Sequence, residues 1–288
     1  MAKTSLFYGA LLSGTMMSGM YGTWAFAADV GLTDLPAVSA VNGKVDLQGG
    51  WADGDSVSSE ELLFGGAALS IPLGDAWGLQ ADVAALRVFD ETSVGGTLHL
   101  FTRDPNSHLL GAIGGYVDTS NGHMVWGGAE GEAYMGNITL RGIAGLSDVS
   151  VSGPVGDGTD FLGIAEMAFY ANDNLKLWVE GSTVTNFEAV GAGVEWLLQD
   201  QLGVPVSLKL SGGIGENGYT AATAGIAFYF GGNEEGKSLI RRHREDDPEI
   251  EAFPGGPVNI FGAGVIGGGG CEPQSLDPEA PCYVQSAG

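Results

Sequence analysis

Ionisable side chains recur at alternate positions along this sequence, in segments whose other positions are apolar or small. Glu130 and Glu132 show the pattern, and so do Lys176 and Glu180. Because successive residues of a strand point to opposite faces, this spacing places the charges on one face and the apolar groups on the other. Charged groups around a water-filled channel tune which ions pass, whereas the same groups paired with one another form a closed polar interior. Both interpretations stay open.

A second group of residues has the composition of a hydrolase site. Asp118, Ser120, Asn121 and His123 lie within six positions of one another. Nucleophilic catalysis needs the base within hydrogen-bond reach of the hydroxyl, but His123 follows Ser120 across Asn-Gly, the strongest short hairpin signal. We interpret the segment as a turn and expect no catalytic residue. A lipid-acting enzyme that uses Ser120 and His123 is kept as an alternative.

Two further places have residues suited to metal binding or to a disulfide. Asp53, Asp55, Glu60 and Glu61 offer oxygens suited to calcium, but their spacing matches no calcium loop, which favours a solvated loop. No metal and no cofactor are therefore predicted. Near the C-terminus, Cys271 and Cys282 lie eleven positions apart, which in an exported chain predicts a local disulfide.

The composition favours strands that face lipid over a soluble domain. Charged residues make up only 16% of the chain, against roughly 25% in soluble domains, and hydrophobic residues make up 44%. The 50 glycines follow no triplet repeat, which excludes collagen. A net charge of -24 argues against nucleic-acid binding, because neutralising phosphates needs a basic face.

The chain divides into four predicted parts. Residues 1–27 have Lys3, a loosely apolar stretch and Ala25-Phe26-Ala27, which together predict a cleaved secretory signal peptide. Residues 28–43 form an irregular lead, 44–231 the strands, and 232–288 a Gly- and Pro-rich C-terminal extension. After the signal peptide no run reaches the roughly 18 apolar residues that a membrane helix needs.

Period-2 alternation continues to the end of the strand region, where 221–230 alternates small and apolar residues and ends in aromatics. We count about twelve strands of roughly 8–12 residues joined by short turns, with longer loops at 53–61 and 147–160. These lengths suit a tilted strand that crosses a bilayer. The predicted fold is all-β, an up-and-down antiparallel transmembrane β-barrel. With twelve strands both termini lie on one side, which we predict to be periplasmic.

The size of such a barrel indicates which face points inward. About eight strands already leave an interior that side chains only just fill, so a wider dry interior would be a large void. We therefore predict that apolar residues face lipid and ionisable ones a watered lumen, and keep a soluble exported β-sheet binding protein as an alternative. The predicted lumen-lining residues are Asp46, Asp82, Glu130, Glu132, Arg141, Glu166, Lys176, Glu180, Glu195 and Lys209.

Five segments resemble a poorly characterised family of porin-like outer-membrane barrels of Gram-negative bacteria. They are 41–44, 99–105, 128–134, 228–231 and, as the most specific one, 237–248 with the letters KSLIRRHREDDP. The resemblance implies an outer-membrane location, contact with membrane lipids, and assembly machinery that reads a final aromatic. It implies no substrate and no catalytic residue. The function expected is a passive narrow pore for small ions or solutes, with cation preference left open, or a structural barrel.

The basic cluster 237–244 in the C-terminal extension allows two interpretations. It could hold anionic headgroups or cell-wall polymer. Because Glu245, Asp246 and Asp247 follow it directly, we favour a self-neutralising segment exposed to solvent.

Overall fold

The computed structural model describes residues 35–256, without 55–56, 89–90, 121, 152–157, 217, 234–235 and 247–248. The predicted signal peptide 1–27 and the predicted disulfide between Cys271 and Cys282 lie outside this range and stay predictions. The strands are β1 (Asn42–Gly54), β2 (Val57–Leu73), β3 (Trp77–Val88), β4 (Glu91–Asp104), β5 (His108–Thr119), β6 (Gly122–Met135), β7 (Ile138–Val151), β8 (Gly158–Asn172), β9 (Leu175–Val184), β10 (Phe187–Leu197), β11 (Val206–Gly215) and β12 (Thr220–Gly231). Two short helices are α1 (Gln199–Leu202) and α2 (Leu239–Glu245).

The twelve strands form one closed antiparallel barrel in which each strand pairs with its neighbours in sequence. The barrel closes where β1 pairs with β12, with Val45 opposite Phe228 and Asp53 opposite Thr220. Closure leaves no edge strand, so the ladder hydrogen bonds continue around the whole wall. The predicted up-and-down barrel of twelve strands is confirmed.

The outer face of the barrel is apolar. In the described residues 34 large hydrophobic side chains are exposed, among them Val83 at 63%, Leu98 at 59% and Ile214 at 63%. Trp51, Trp77 and other aromatics near strand ends also point outward. A soluble protein rarely exposes so large a continuous apolar surface, whereas lipid-facing strands require one.

The loops at one end of the barrel are shorter than predicted. The predicted loop 53–61 is wrong, because β1 continues to Gly54 and β2 begins at Val57. Likewise, β7 reaches Val151 and β8 begins at Gly158, so most of 147–160 is strand. The ladder hydrogen-bonds backbone groups whatever the side-chain polarity, so polar residues extend the hairpins beyond the length that a bilayer requires.

The interior is layered along the barrel axis. At the end formed by the loops between β1 and β2, β3 and β4, and β5 and β6, inward-facing residues are apolar and packed together; they include Leu62, Phe64, Leu86, Val88, Val117, Met124, Trp126 and Leu162. Trp126 is 4% exposed while its neighbour Val125 is 49% exposed, so both faces of this part of β6 are apolar. Charged and polar residues fill the middle layer of the interior.

The described part of the C-terminal extension does not project away from the barrel. Residues 237–256, which we call the C-terminal tail, contain α2 and then a segment that contacts inward-facing residues of several strands. The prediction that 237–244 is a solvated segment is wrong: Lys237 and Arg242 are 1% and 4% exposed. In the described residues no helix is long and apolar enough to cross a membrane.

Candidate functional site

The ten predicted lumen-lining residues all lie on the inward side of their strands. Asp82, Lys176 and Glu195 are almost fully buried, and so are Asp46, Glu130 and Glu166. The remaining four, which are Glu132, Arg141, Glu180 and Lys209, are partly buried on the same inward-facing positions of β6, β7, β9 and β11. The structure therefore brings the ten residues together into one polar layer inside the barrel.

The charges of this layer are paired between nearby strands of the wall. Lys209 Nζ lies 2.5 Å from Asp46 Oδ2 although β12 separates their strands. Lys176 Nζ lies 3.0 Å from Glu166 Oε1, and Arg141 Nη2 lies 3.1 Å from Glu180 Oε2. Opposite charges held this closely compensate part of the cost of removing each from water. The layer thus has the geometry of a closed, hydrogen-bonded interior.

His99, which is not among the predicted lumen residues, joins three strands. Its Nε2 lies 2.9 Å from Asp82 Oδ2 on β3, and its Nδ1 lies 2.9 Å from Glu130 Oε2 on β6. The alternation along β4 could have identified His99. It lies two positions after the polar Thr97 and so on the same face, whereas Leu98 and Leu100 lie on the outward face. Lys44 is also absent from the predicted lumen residues, although it lies two positions before Asp46 and therefore on the same face of β1.

The helix α2 lies at the barrel end where β1 begins and β12 ends. Arg244 donates hydrogen bonds to the carbonyl oxygens of Gly136 at 2.8 Å and Ile138 at 2.9 Å, in the turn between β6 and β7. Arg242 donates to Gln199 Oε1 at 3.0 Å, and Leu239 packs in a buried apolar cluster with residues of β8, β10 and β12. Guanidinium groups that bind several acceptors in fixed directions hold α2 in one orientation.

The N-terminal lead meets the same helix. Lys237 Nζ donates to Asp246 Oδ1 at 2.7 Å and to Ser39 Oγ at 3.0 Å, and the Ser39 N–H donates to the Glu245 carbonyl oxygen at 2.8 Å. Ala37 and Val38 are fully buried. Two members of the basic cluster, Lys237 and Arg241, are therefore paired with acids of the tail itself, and Lys237 is buried at the end of the barrel rather than in solvent.

Beyond α2 the tail enters the polar layer with two carboxylates. Glu249 Oε1 accepts a hydrogen bond from Lys176 Nζ at 2.8 Å, and Glu249 Oε2 lies 3.6 Å from Lys44 Nζ. Glu251 forms a salt bridge with Arg141. Burial opposes ionisation of Glu249, but the ammonium groups of Lys176 and Lys44 hold its pKa well below its usual range. Burial raises the pKa of Glu251 in spite of Arg141.

The end of the tail packs on the apolar layer. The ring of Phe253 meets that of Phe64 edge-on, with centroids 6.5 Å apart, and Ala252 is fully buried. A Cβ added to Gly95 would lie 2.2 Å from the Ala252 carbonyl oxygen, so only glycine at 95 leaves room for the tail. A cavity of about 80 Å³ remains beside the tail. The tail thus lies in the lumen against both the ion pairs and the apolar layer.

His243 on α2 lies between two tyrosines. Its Nδ1 is 2.9 Å from the Tyr170 hydroxyl and its Nε2 is 3.0 Å from the Tyr229 hydroxyl. With Glu195 and Glu249 it forms a triad whose ligand atoms lie within 4.8 Å of one another. Both ring nitrogens already have partners and Glu249 is paired with Lys176, so hydrogen bonding and ion pairing account for this triad without a metal.

Protonation of His243 is expected to loosen the tail. Burial lowers the pKa of His243, and Lys176 and Lys44 add to the effect against Glu195 and Glu249. A depressed pKa in the docked tail means that docking is favoured above the ordinary histidine range near pH 6.5 and weakens as the pH falls below it, by at most about tenfold per pH unit. We expect the tail to be released more often at pH 5.5 than at pH 7.5, which the current across planar bilayers would register.

The variant His243→Gln isolates this contribution. Glu251 acts in the opposite sense, because its raised pKa favours docking as the pH falls, and Glu249 favours release only at more acidic pH. Both remain in the variant, so the difference between the two pH profiles belongs to His243. Identical pH profiles for the variant and the unmodified protein would contradict this role.

Ser120 and His123 face other partners. Ser120 Oγ donates to Glu91 Oε2 at 2.5 Å, and the ring of His123 stacks on Tyr116 with centroids 5.6 Å apart. In the strand pairing His123 lies opposite Asp118 rather than beside Ser120. The hydroxyl and the imidazole thus point to different neighbours within this hairpin.

No protein-family model matches the sequence. A search of curated proteins finds no match either. Solved structures similar to the chain include a KdgM porin in complex with disordered oligogalacturonate, with a TM-score of 0.49, 9% identity, and coverage of 65% of this chain and 99% of that chain. An outer-membrane channel from Pseudomonas putida F1 has a TM-score of 0.47, 14% identity, and coverage of 70% and 100%.

Outer-membrane phospholipase A from Escherichia coli is also similar, with a TM-score of 0.41, 16% identity, and coverage of 69% of this chain and 93% of that chain. The similar structures thus include pores and an enzyme built on related barrels. At these levels of identity and TM-score the similarity carries no argument about activity, and we argue function from the geometry of this chain.

Proposed function

We propose that this protein is an outer-membrane β-barrel pore whose lumen is kept shut by its own C-terminal tail. The observation that carries the proposal is the position of Glu249 and Glu251, which bind cations of the barrel wall inside a cylinder with an apolar outer face. Release of the tail would open a narrow passage lined by acids and bases. With an even number of strands β1 begins and β12 ends on the same side, and we propose that both termini are periplasmic.

Conduction requires the tail to move, because its residues and their partners fill the polar layer. The charges that then line the passage include Asp46, Glu166 and Lys209, with acids in the majority over bases among the ten lumen residues. Rings of like charge favour counter-ions in a narrow pore. We therefore propose a preference for cations when the barrel is open.

A structural barrel without conduction is the second candidate. The apolar layer formed by Phe64, Leu86, Trp126 and their neighbours favours it, since this layer closes the other end of the lumen. Hydrophobic constrictions also occur in pores, where they gate by excluding water. Conductance therefore decides between the two candidates.

The hydrolase alternative has less support. A hydrolase needs its nucleophile and base in contact, whereas Ser120 contacts Glu91 and His123 contacts Tyr116. We propose that this hairpin is a structural turn. Unchanged esterase activity after Ser120→Ala in a purified preparation would agree with this proposal.

A matched pair of substitutions tests the pore. Valine at Gly95 would collide with the Ala252 backbone and displace the tail, whereas the next residue, Gly96, faces outward and has only an ordinary contact of 3.4 Å for an added Cβ. In planar bilayers we expect frequent conductance steps from Gly95→Val and rare steps from Gly96→Val and the unmodified protein. An absence of conductance steps from all three proteins would contradict the proposed pore and favour the structural barrel.

A further inference from the structure

Resting on the proposed pore, we propose that the wall around Glu249 and Glu251 is a binding site for acidic peptides, and that the tail occupies it as an internal ligand. Three features of the wall support this inference: converging cations, side chains that hydrogen-bond to a peptide backbone, and an apolar contact surface. Each comes from strands that lie far from the tail in sequence.

The first feature is a set of cations from three strands. Lys44 on β1, Arg141 on β7 and Lys176 on β9 converge on the two tail carboxylates. The strands hold the three cations in place, and the tail binds these cations as a ligand would. If it left, the wall would keep buried cations with fewer carboxylate partners, which is costly. Exchange of the tail for another acidic ligand is therefore favoured over an empty site.

The second feature is recognition of main-chain groups. Thr97 Oγ1 donates to the Glu251 carbonyl oxygen at 3.0 Å, and Asp82 Oδ2 accepts from the Glu251 N–H at 3.0 Å. The Thr97 hydroxyl and the Asp82 carboxylate thus bind the C=O and the N–H of one residue, which are the groups that a peptide backbone offers. Acidic sugars carry carboxylates but no amide N–H and C=O at this spacing, so these contacts favour a peptide.

The third feature is the apolar contact surface beside the cations. Phe253 packs edge-on against Phe64, and Gly95 leaves room for the backbone at Ala252. Ile250 lies close enough that a Cβ on Gly66 would be 3.4 Å from its Cδ1. The wall therefore fits the order acid, apolar, acid, small, aromatic, which is the tail sequence from 249 to 253.

The test uses the full-length variant Glu249→Gln/Glu251→Gln, whose own tail lacks the two carboxylates. The probe is a fluorescent acetyl-Glu-Ile-Glu-Ala-Phe-amide, compared with acetyl-Gln-Ile-Gln-Ala-Phe-amide and with trigalacturonate. We expect the acidic peptide to bind at least about tenfold more tightly than the glutamine peptide, since charge pairs that are buried dominate such discrimination. It should also block the conductance of the variant.

Two further substitutions in that variant locate the site. Adding Lys176→Gln should weaken binding of the acidic peptide by about tenfold or more. Adding Arg87→Gln, which removes a cation from the outer face, should leave it unchanged. A loss of affinity in both would indicate adsorption to surface charge and overturn the proposed site.

The outcomes separate this site from the pore. Equal binding of the acidic and glutamine peptides overturns the site, whether or not the variant conducts. Trigalacturonate binding as tightly as the acidic peptide overturns the assignment to peptides. Selective binding of the acidic peptide to a variant that never conducts supports the site and overturns the pore.

Discussion

Replacing Glu249 and Glu251 together by glutamine is expected to convert a mostly silent barrel into one that opens frequently. The substitution leaves Lys44, Arg141 and Lys176 facing neutral amides. Breaking a buried ion pair by removing one partner costs about 3–5 kcal/mol. Because Lys176 and Arg141 keep Glu166 and Glu180 as partners, we assign this figure to the pair of changes together, which lowers the ratio of docked to released tail by roughly 150- to 4,000-fold.

Single-channel recording in planar bilayers measures the change as open probability at pH 7.5. The control is Glu188→Gln/Glu216→Gln, which removes the same charge from two exposed residues at the loop end of the barrel. Long-range effects of net charge would appear in both double variants. An increase confined to the tail variant supports closure by the tail, and equal open probabilities would contradict it.

Placing arginine at Leu98 is expected to destabilise the folded barrel in a bilayer by about 2–4 kcal/mol, the cost of such a charge at the membrane midplane. Leu98 is 59% exposed in the middle of β4, between the buried Thr97 and His99. It therefore faces lipid in the proposed orientation. Urea unfolding in phospholipid vesicles, followed by tryptophan fluorescence, measures the difference.

Leu202→Arg is the matched control for this substitution. Leu202 is 56% exposed, nearly as much as Leu98, but it lies on α1 in the connection between β10 and β11. A charge there reaches water or headgroups, and we expect a change within about 0.5 kcal/mol, as for ordinary surface sites. Equal destabilisation by both substitutions would mean that Leu98 does not face lipid.

The wall of the barrel could be predicted from sequence because its signals are local. Alternation at Lys176, Leu177 and Trp178 assigns each residue to a face, and turn residues such as Gly136-Asn137 mark where strands end. Register then follows from the hairpins, since a slip by one residue would exchange the two faces. The placement of all ten predicted lumen residues follows from the same alternation.

The filling of the lumen could not be predicted in this way. The pair Arg141 and Glu251 is separated by 110 positions, and no local pattern links residues so far apart. The segment 249–253 has acidic and apolar residues that suit a solvated tail equally well. The apolar layer was missed because alternation fails where Val125 and Trp126 are both apolar, one facing lipid and the other the interior.

The most direct test of closure by the tail is the contact between Phe253 and Phe64. In micelles at pH 7.5, with phenylalanine labelled selectively, the 6.5 Å separation of the ring centroids predicts a nuclear Overhauser effect between their ring protons. The cross-peak should disappear in Phe253→Ala, which assigns it. Sharp Phe253 signals at unstructured shifts, without any contact to Phe64, would show that the tail lies outside the barrel.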